Sequence, residues 1–81
     1  MKDYVVTFFT HYEALLFQRR AAAQDISGQL APVPRRLSSS CGTCMFFSAT
    51  PEQMERLTEG AEFEQLALSE AGQYRTIKDH R

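Results

Sequence analysis

Apolar and polar positions follow two periods along this chain, and the periods divide it into elements. Tyr4, Val5, Val6, Thr7, Phe8 and Phe9 are nearly all β-branched or aromatic, which predicts a strand from Asp3 to Phe9. The run is too continuous for a surface edge, so it reads as a central strand. One face should meet helices, and the other is left for a partner. Thr10 with Glu13 three positions later forms a capping box, and a helix is expected from His11 to about Gln24. Tyr12, Leu15, Leu16, Arg19, Ala22 and Ala23 share one side at helical spacing, with the Arg19 stem covering the rim of that apolar face. Ala21, Ala22 and Ala23 allow close approach to a sheet. Asp25-Ile26-Ser27-Gly28 closes the helix.

Gln29 to Val33 reads as a second strand, and Pro32 and Pro34 make it an edge or leave its end unpaired. Loop follows until Gly42. Thr43 to Ser48 is a third strand, with Cys44 and Phe46 on one face and Met45 and Phe47 on the other. Thr50-Pro51-Glu52-Gln53 opens a second helix with cap, proline and capping box in place. Met54 and Leu57 point inward and Gly60 ends it. Glu62 to Leu68 alternates loosely, Glu70 to Gln73 is a turn, and Tyr74 to Ile77 returns as a short strand. Lys78 to Arg81 is a polar tail expected to fray. The order β-α-β-β-α-β, with an extra C-terminal hairpin strand, predicts an α+β, ferredoxin-like two-layer sandwich. A single domain spans residues 1–81. The uncovered sheet face makes a homodimer a fair expectation.

Length and charge narrow the function. Eighty-one residues form one small domain with a thin core. Nine basic against ten acidic side chains leave a net charge of −1, which argues against broad nucleic-acid binding. No apolar run approaches membrane-spanning length. Met1 to Val6 lacks the features of a signal peptide, so a cytoplasmic location is expected. In that compartment two cysteines are thiols, metal ligands or redox groups rather than a structural staple.

Those cysteines fall in the stretch from Pro32 to Cys44, with an Arg pair, three serines and Gly42. A thiolate gains from nearby cations and aligned N–H groups. Arg35 and Arg36 supply charge if the loop folds back, and Ser38, Ser39, Ser40 and Gly42 can turn N–H groups inward as a nest. Cys41 is then the nucleophile. The competing reading is a turn whose serines satisfy their own backbone, with Cys41 tucked inward as a small apolar residue. Cys41-Gly42-Thr43-Cys44 is also a C-x-x-C motif, which makes Cys44 a candidate second thiol for dithiol redox chemistry. Redox pairs of this kind usually open a helix. Here a strand follows, and positions three apart in a strand face opposite sides.

The same motif is half of a tetrahedral zinc site. His11 or His80, or a second copy of the chain, would have to complete it, and no metal site is assigned. His11 is a candidate helper to Cys41 if the end of the first strand comes near the loop. Glu52, Glu55, Glu62 and Glu64 are placed on polar faces. There is no acid–base couple, Ser-His-Asp set or phosphate-cradling loop, and no cofactor is implied.

The run Pro32-Val33-Pro34-Arg35-Arg36-Leu37-Ser38-Ser39-Ser40-Cys41-Gly42, with Tyr4-Val5-Val6-Thr7-Phe8 and Thr10-His11 ahead of it, resembles a family of short bacterial domains. That family is described as putative selenium/sulfur carrier protein-like and counted among domains of unknown function. The likeness extends to about Ile77. The resemblance implies a carrier thiol at Cys41 and donor and acceptor proteins for sulfur or selenium as partners. It also implies a carrier or binding module rather than a turnover enzyme. Cys44 is where the sequence departs, because the family pattern is more often apolar there. The alternative from another class is a non-catalytic interaction or regulatory module.

Overall fold

The computed structural model describes residues 1–37 and 39–81. The elements run β1 (Lys2–Thr7), α1 (His11–Ala23), β2 (Gly28–Pro32), β3 (Thr43–Ala49), α2 (Pro51–Thr58), β4 (Gln65–Glu70) and β5 (Gln73–Asp79). Among the described residues the five strands form one antiparallel sheet in the order β2-β3-β1-β4-β5. With two helices, this is the expected α+β class. The extra C-terminal strand is β5, joined to β4 through Ala71 and Gly72. Both adopt positive φ, as a tight hairpin turn requires. The apolar first strand lies at the centre of the sheet, and the proline-bearing β2 lies at an edge.

Both helix starts form as the sequence predicts, with one difference. At α2, Thr50 Oγ1 accepts from Gln53 N–H at 3.2 Å and Gln53 Oε1 accepts from Thr50 N–H at 2.9 Å. At α1, Thr10 Oγ1 accepts from Glu13 N–H, but the Glu13 carboxylate accepts from Phe9 N–H. That bond turns the chain out of β1 after Thr7, two residues before the expected end.

The face of α1 requires correction. The helix buries Ala14, Phe17 and Ala21. Tyr12, Leu15 and Leu16, expected to face the sheet, are 68%, 40% and 42% exposed, and Arg19, Ala22 and Ala23 are exposed with them. At 3.6 residues per turn the two sets lie roughly opposite each other, so α1 carries two apolar stripes. Two features favour the observed one. Alanines on either side of Phe17 let the helix approach the sheet. Arg20 then reaches the C-terminal end of α2, donating through Nε to Leu57 O at 2.6 Å and through its guanidinium to Glu59 O. A cation satisfying the last carbonyls of a helix is favourable, and here it fixes the rotation of α1.

The helix-side core joins Tyr4, Val6, Met45, Phe47, Leu66 and Leu68 from the sheet, and Phe8 just past β1, to Phe17, Met54, Leu57 and Phe63. At its edge a Cβ on Gly28 would overlap Met45 Sδ, so glycine permits the close approach of β2 to that side chain. The opposite sheet face has a cover of its own. Val5, Cys44 and Ala67 are fully buried there under Val33, Leu37, Phe46 and Tyr74. Residues 78–81, expected to fray, are engaged instead. Lys78 Nζ lies 2.9 Å from a Glu55 carboxylate oxygen, and the His80 ring lies 4.2 Å from that of Phe63, tilted against it.

Candidate functional site

The loop between β2 and β3 is closed at its base by Val33 N–H donating to Gly42 O at 3.1 Å, beyond the last strand pair, Pro32 with Thr43. Pro34 begins a turn whose carbonyl accepts from Leu37 N–H at 3.0 Å. Leu37 packs on the outer sheet face, and Arg36 Nη1 donates to Gly72 O at 2.9 Å. The loop that leaves edge strand β2 is thereby fastened to the β4–β5 turn on the other side of the sheet. Arg35 is exposed. Among the described residues neither guanidinium has a hydrogen bond or ion pair with a cysteine. Ser38, assigned above to the anion nest, lies outside the described residues.

The serines bind the scaffold. Ser39 Oγ donates to Phe8 O at 3.3 Å. The N–H and hydroxyl of Ser40 both donate to the Glu64 carboxylate. Glu64 was expected on a polar face; it is 2% exposed. Its sequence signal was slight: one acid between Phe63 and the Gln65-Leu66 run, with no visible partner nearby in the chain.

The two cysteines are free thiols on opposite sides of the sheet. Gly42, at φ +75°, turns the chain between them in a conformation that favours glycine. Cys41 is half-buried and packs at the margin of the helix-side core, its thiol donating to Thr43 O at 3.7 Å. Cys44 is 0% exposed in the outer-face cluster, with Pro32 O 3.6 Å from its sulfur. Burial, and secondarily the neighbouring Cys41, push its pKa from 9.0 to about 11. The sequence alternation of β3 anticipated this: Cys44 lies with Phe46, and Met45 with Phe47.

His11 comes to the loop because the end of β1 pairs with the start of β3, Thr7 opposite Cys44. Its Nδ1 lies 3.4 Å from Thr43 Oγ1, on the residue whose carbonyl accepts the Cys41 thiol. His80 is at Phe63, with Nδ1 3.1 Å from the Phe63 carbonyl. Among the described residues no group of three or more His, Cys, Asp or Glu side chains is arranged to hold a metal ion. No helix among them is long and apolar enough to cross a membrane.

A family model described as putative Se/S carrier protein-like matches residues 3–70, a span that includes the loop and both cysteines. No curated protein and no solved structure matches the chain.

Proposed function

The chain belongs to the putative Se/S carrier protein-like family, and from that premise we propose that it carries sulfur or selenium on the Cys41 thiol. The observation behind this reading is the asymmetry of the two cysteines. Cys41 is partly accessible next to a glycine turn, whereas Cys44 is sealed and its proton is held more tightly than in a free thiol. Since the thiolate is the nucleophile, the sealed and tightly protonated Cys44 is poorly suited to attack, which leaves the accessible Cys41 as the candidate. Cys44 then fills the apolar place that its family position usually holds.

The chemistry is exchange without net oxidation. The Cys41 thiolate attacks the outer sulfur of a donor persulfide, forming a new S–S bond as the donor's own S–S bond breaks. The donor leaves as a thiolate with the bonding electron pair. An acceptor nucleophile then takes the outer atom and Cys41 is released as a thiolate. Selenium would take the place of the transferred sulfur in the same sequence. Donor and acceptor proteins are the partners, in a reducing cytoplasm where thiols persist. His11 through Thr43, and Ser39, Ser40 and Gly42 through the loop backbone, orient the thiol. Arg35 offers its charge to a docking partner. The fold is read as a ferredoxin-like sandwich, each helix returning the chain on one side of the sheet, with β5 added beside β4.

The test is intact mass after incubation of reduced protein with a persulfide-generating enzyme. Wild type and Cys44→Ala should each gain one sulfur atom, and Cys41→Ser none. Loading that survives in Cys41→Ser, or a wild type that gains nothing, would count against the proposal. The exposed stripe Tyr12, Leu15 and Leu16 favours a second reading, a non-catalytic interaction module. Under that reading both thiols alkylate slowly and neither takes sulfur.

A further inference from the structure

Burying a carboxylate is costly unless hydrogen bonds surround it. Glu64 is such a group, and its partners come from separate parts of the chain. Thr7 Oγ1, at the end of β1, donates to Oε1 at 3.1 Å. Ser40 N–H lies 3.3 Å from each carboxylate oxygen, and Ser40 Oγ donates to Oε2 at 2.6 Å. The Glu64 backbone is held as firmly. Its N–H donates to Thr7 O at 2.8 Å, and its carbonyl accepts from His80 N–H at 2.8 Å. Ser40 immediately precedes Cys41. A side chain fixed in the scaffold therefore grips the loop at the residue next to the thiol.

We propose that Glu64 is the positioning residue of the Cys41 loop, clasping Ser40 so that the thiol is presented in one place for exchange. The functional half of this statement rests on Cys41 being the carrier thiol. The clasp has a preferred state from both ends. Hydrogen bonds to an ionised acceptor are among the stronger ones. Were Ser40 to leave, the buried carboxylate would lose its N–H and hydroxyl contacts from that residue and keep the Thr7 hydroxyl, with the Arg81 charge near it. Sulfur exchange needs aligned reacting atoms, so a loosened residue at position 40 should slow transfer even while the thiol becomes easier to reach. That opposition separates positioning from a general role in stability.

Glu64→Gln preserves shape but can present an NH₂ donor to Ser40, itself offering two donors. Iodoacetamide alkylation of each cysteine, resolved by peptide mass, is measured beside sulfur transfer from a persulfide donor. The variant should alkylate Cys41 about tenfold faster, the size of one lost charge-assisted hydrogen bond read as loop opening. Cys44 should stay protected, and sulfur transfer should fall. Unchanged Cys41 alkylation would overturn the clasp, as would Cys41 and Cys44 opening together. Ser40→Ala removes only the hydroxyl bond of an exposed residue, itself one bond to the carboxylate, and should shift Cys41 alkylation the same way by up to about tenfold. It decides the matter alone if Glu64→Gln does not fold. If the variants free Cys41 while wild type accepts no sulfur, the clasp holds and the carrier reading falls.

Discussion

On the helix side of the sheet, Phe17 meets Phe8, Phe63 and Phe47 at ring-centroid distances of 5.5, 6.2 and 6.3 Å. On the outer side, Val5, Cys44 and Ala67 lie under a cover that includes Val33 and Leu37 of the β2–β3 loop. The first face is closed by whole helices and large rings. The second is closed partly by the segment that bears the candidate thiol. Apolar burial and aromatic packing are concentrated on the helix side, so that side should dominate stability. The outer cover is thinner, and it makes the loop part of the packing rather than a free appendage. Phe17→Ala should therefore cost about 3–5 kcal/mol in urea unfolding. Leu37→Ala, at a half-buried loop position, should cost about 1 kcal/mol while making Cys44 open to alkylation. Equal costs would break the contrast between the faces. A Cys44 that stays sealed in Leu37→Ala would show that the loop is not its cover.

That contrast was half legible in the sequence. Side-chain alternation in β3 assigned Cys44 and Met45 to opposite faces, and local signals marked both helix starts and the edge position of β2. These are short-range features, decided by residues within a few positions of one another. What depended on distant partners was not legible. α1 has two apolar stripes, and the choice between them rests on Arg20 reaching α2, 37 residues away at Leu57. Glu64 resembles any surface acid until Thr7 and Ser40 arrive, 57 and 24 residues away. The cover of the outer face depends on a loop whose composition signals only flexibility. Arg36, read as support for a thiolate, donates to Gly72 O, a contact no local pattern announces.

The cysteines sharpen the comparison through pH. The pKa of Cys44 is raised in the folded state, from 9.0 to about 11, by burial first and by Cys41 second. Between those values the unfolded chain releases this proton while the folded chain retains it. The unfolded state then binds fewer protons, so stability falls as pH rises through the window and is fully present below it. Other groups titrate there too, so the measurement is a difference between wild type and Cys44→Ala. Wild type should lose stability more steeply between pH 9 and 11. Parallel curves would mean that Cys44 ionises as readily folded as unfolded, contrary to its sealed position.

The smallest effect is expected at Leu15, two residues from Phe17 on the same helix and on the other apolar stripe. Leu15 is 40% exposed, whereas Phe17 is buried among three other rings. Glutamine has helix propensity close to that of leucine, so Leu15→Gln leaves the helix intact and removes only partly wet apolar surface. Its cost should stay within about 0.5 kcal/mol. The pair Phe17→Ala and Leu15→Gln then measures the rotation of α1 directly, because rotating the helix by half a turn would exchange the two results. A loss above about 2 kcal/mol at Leu15, beyond the usual range for a surface substitution, would mean that this stripe is covered in solution. A second copy of the chain is the first occupant to examine, by repeating the unfolding at several protein concentrations: a covered stripe makes the Leu15 penalty grow with concentration, and an open one leaves it flat.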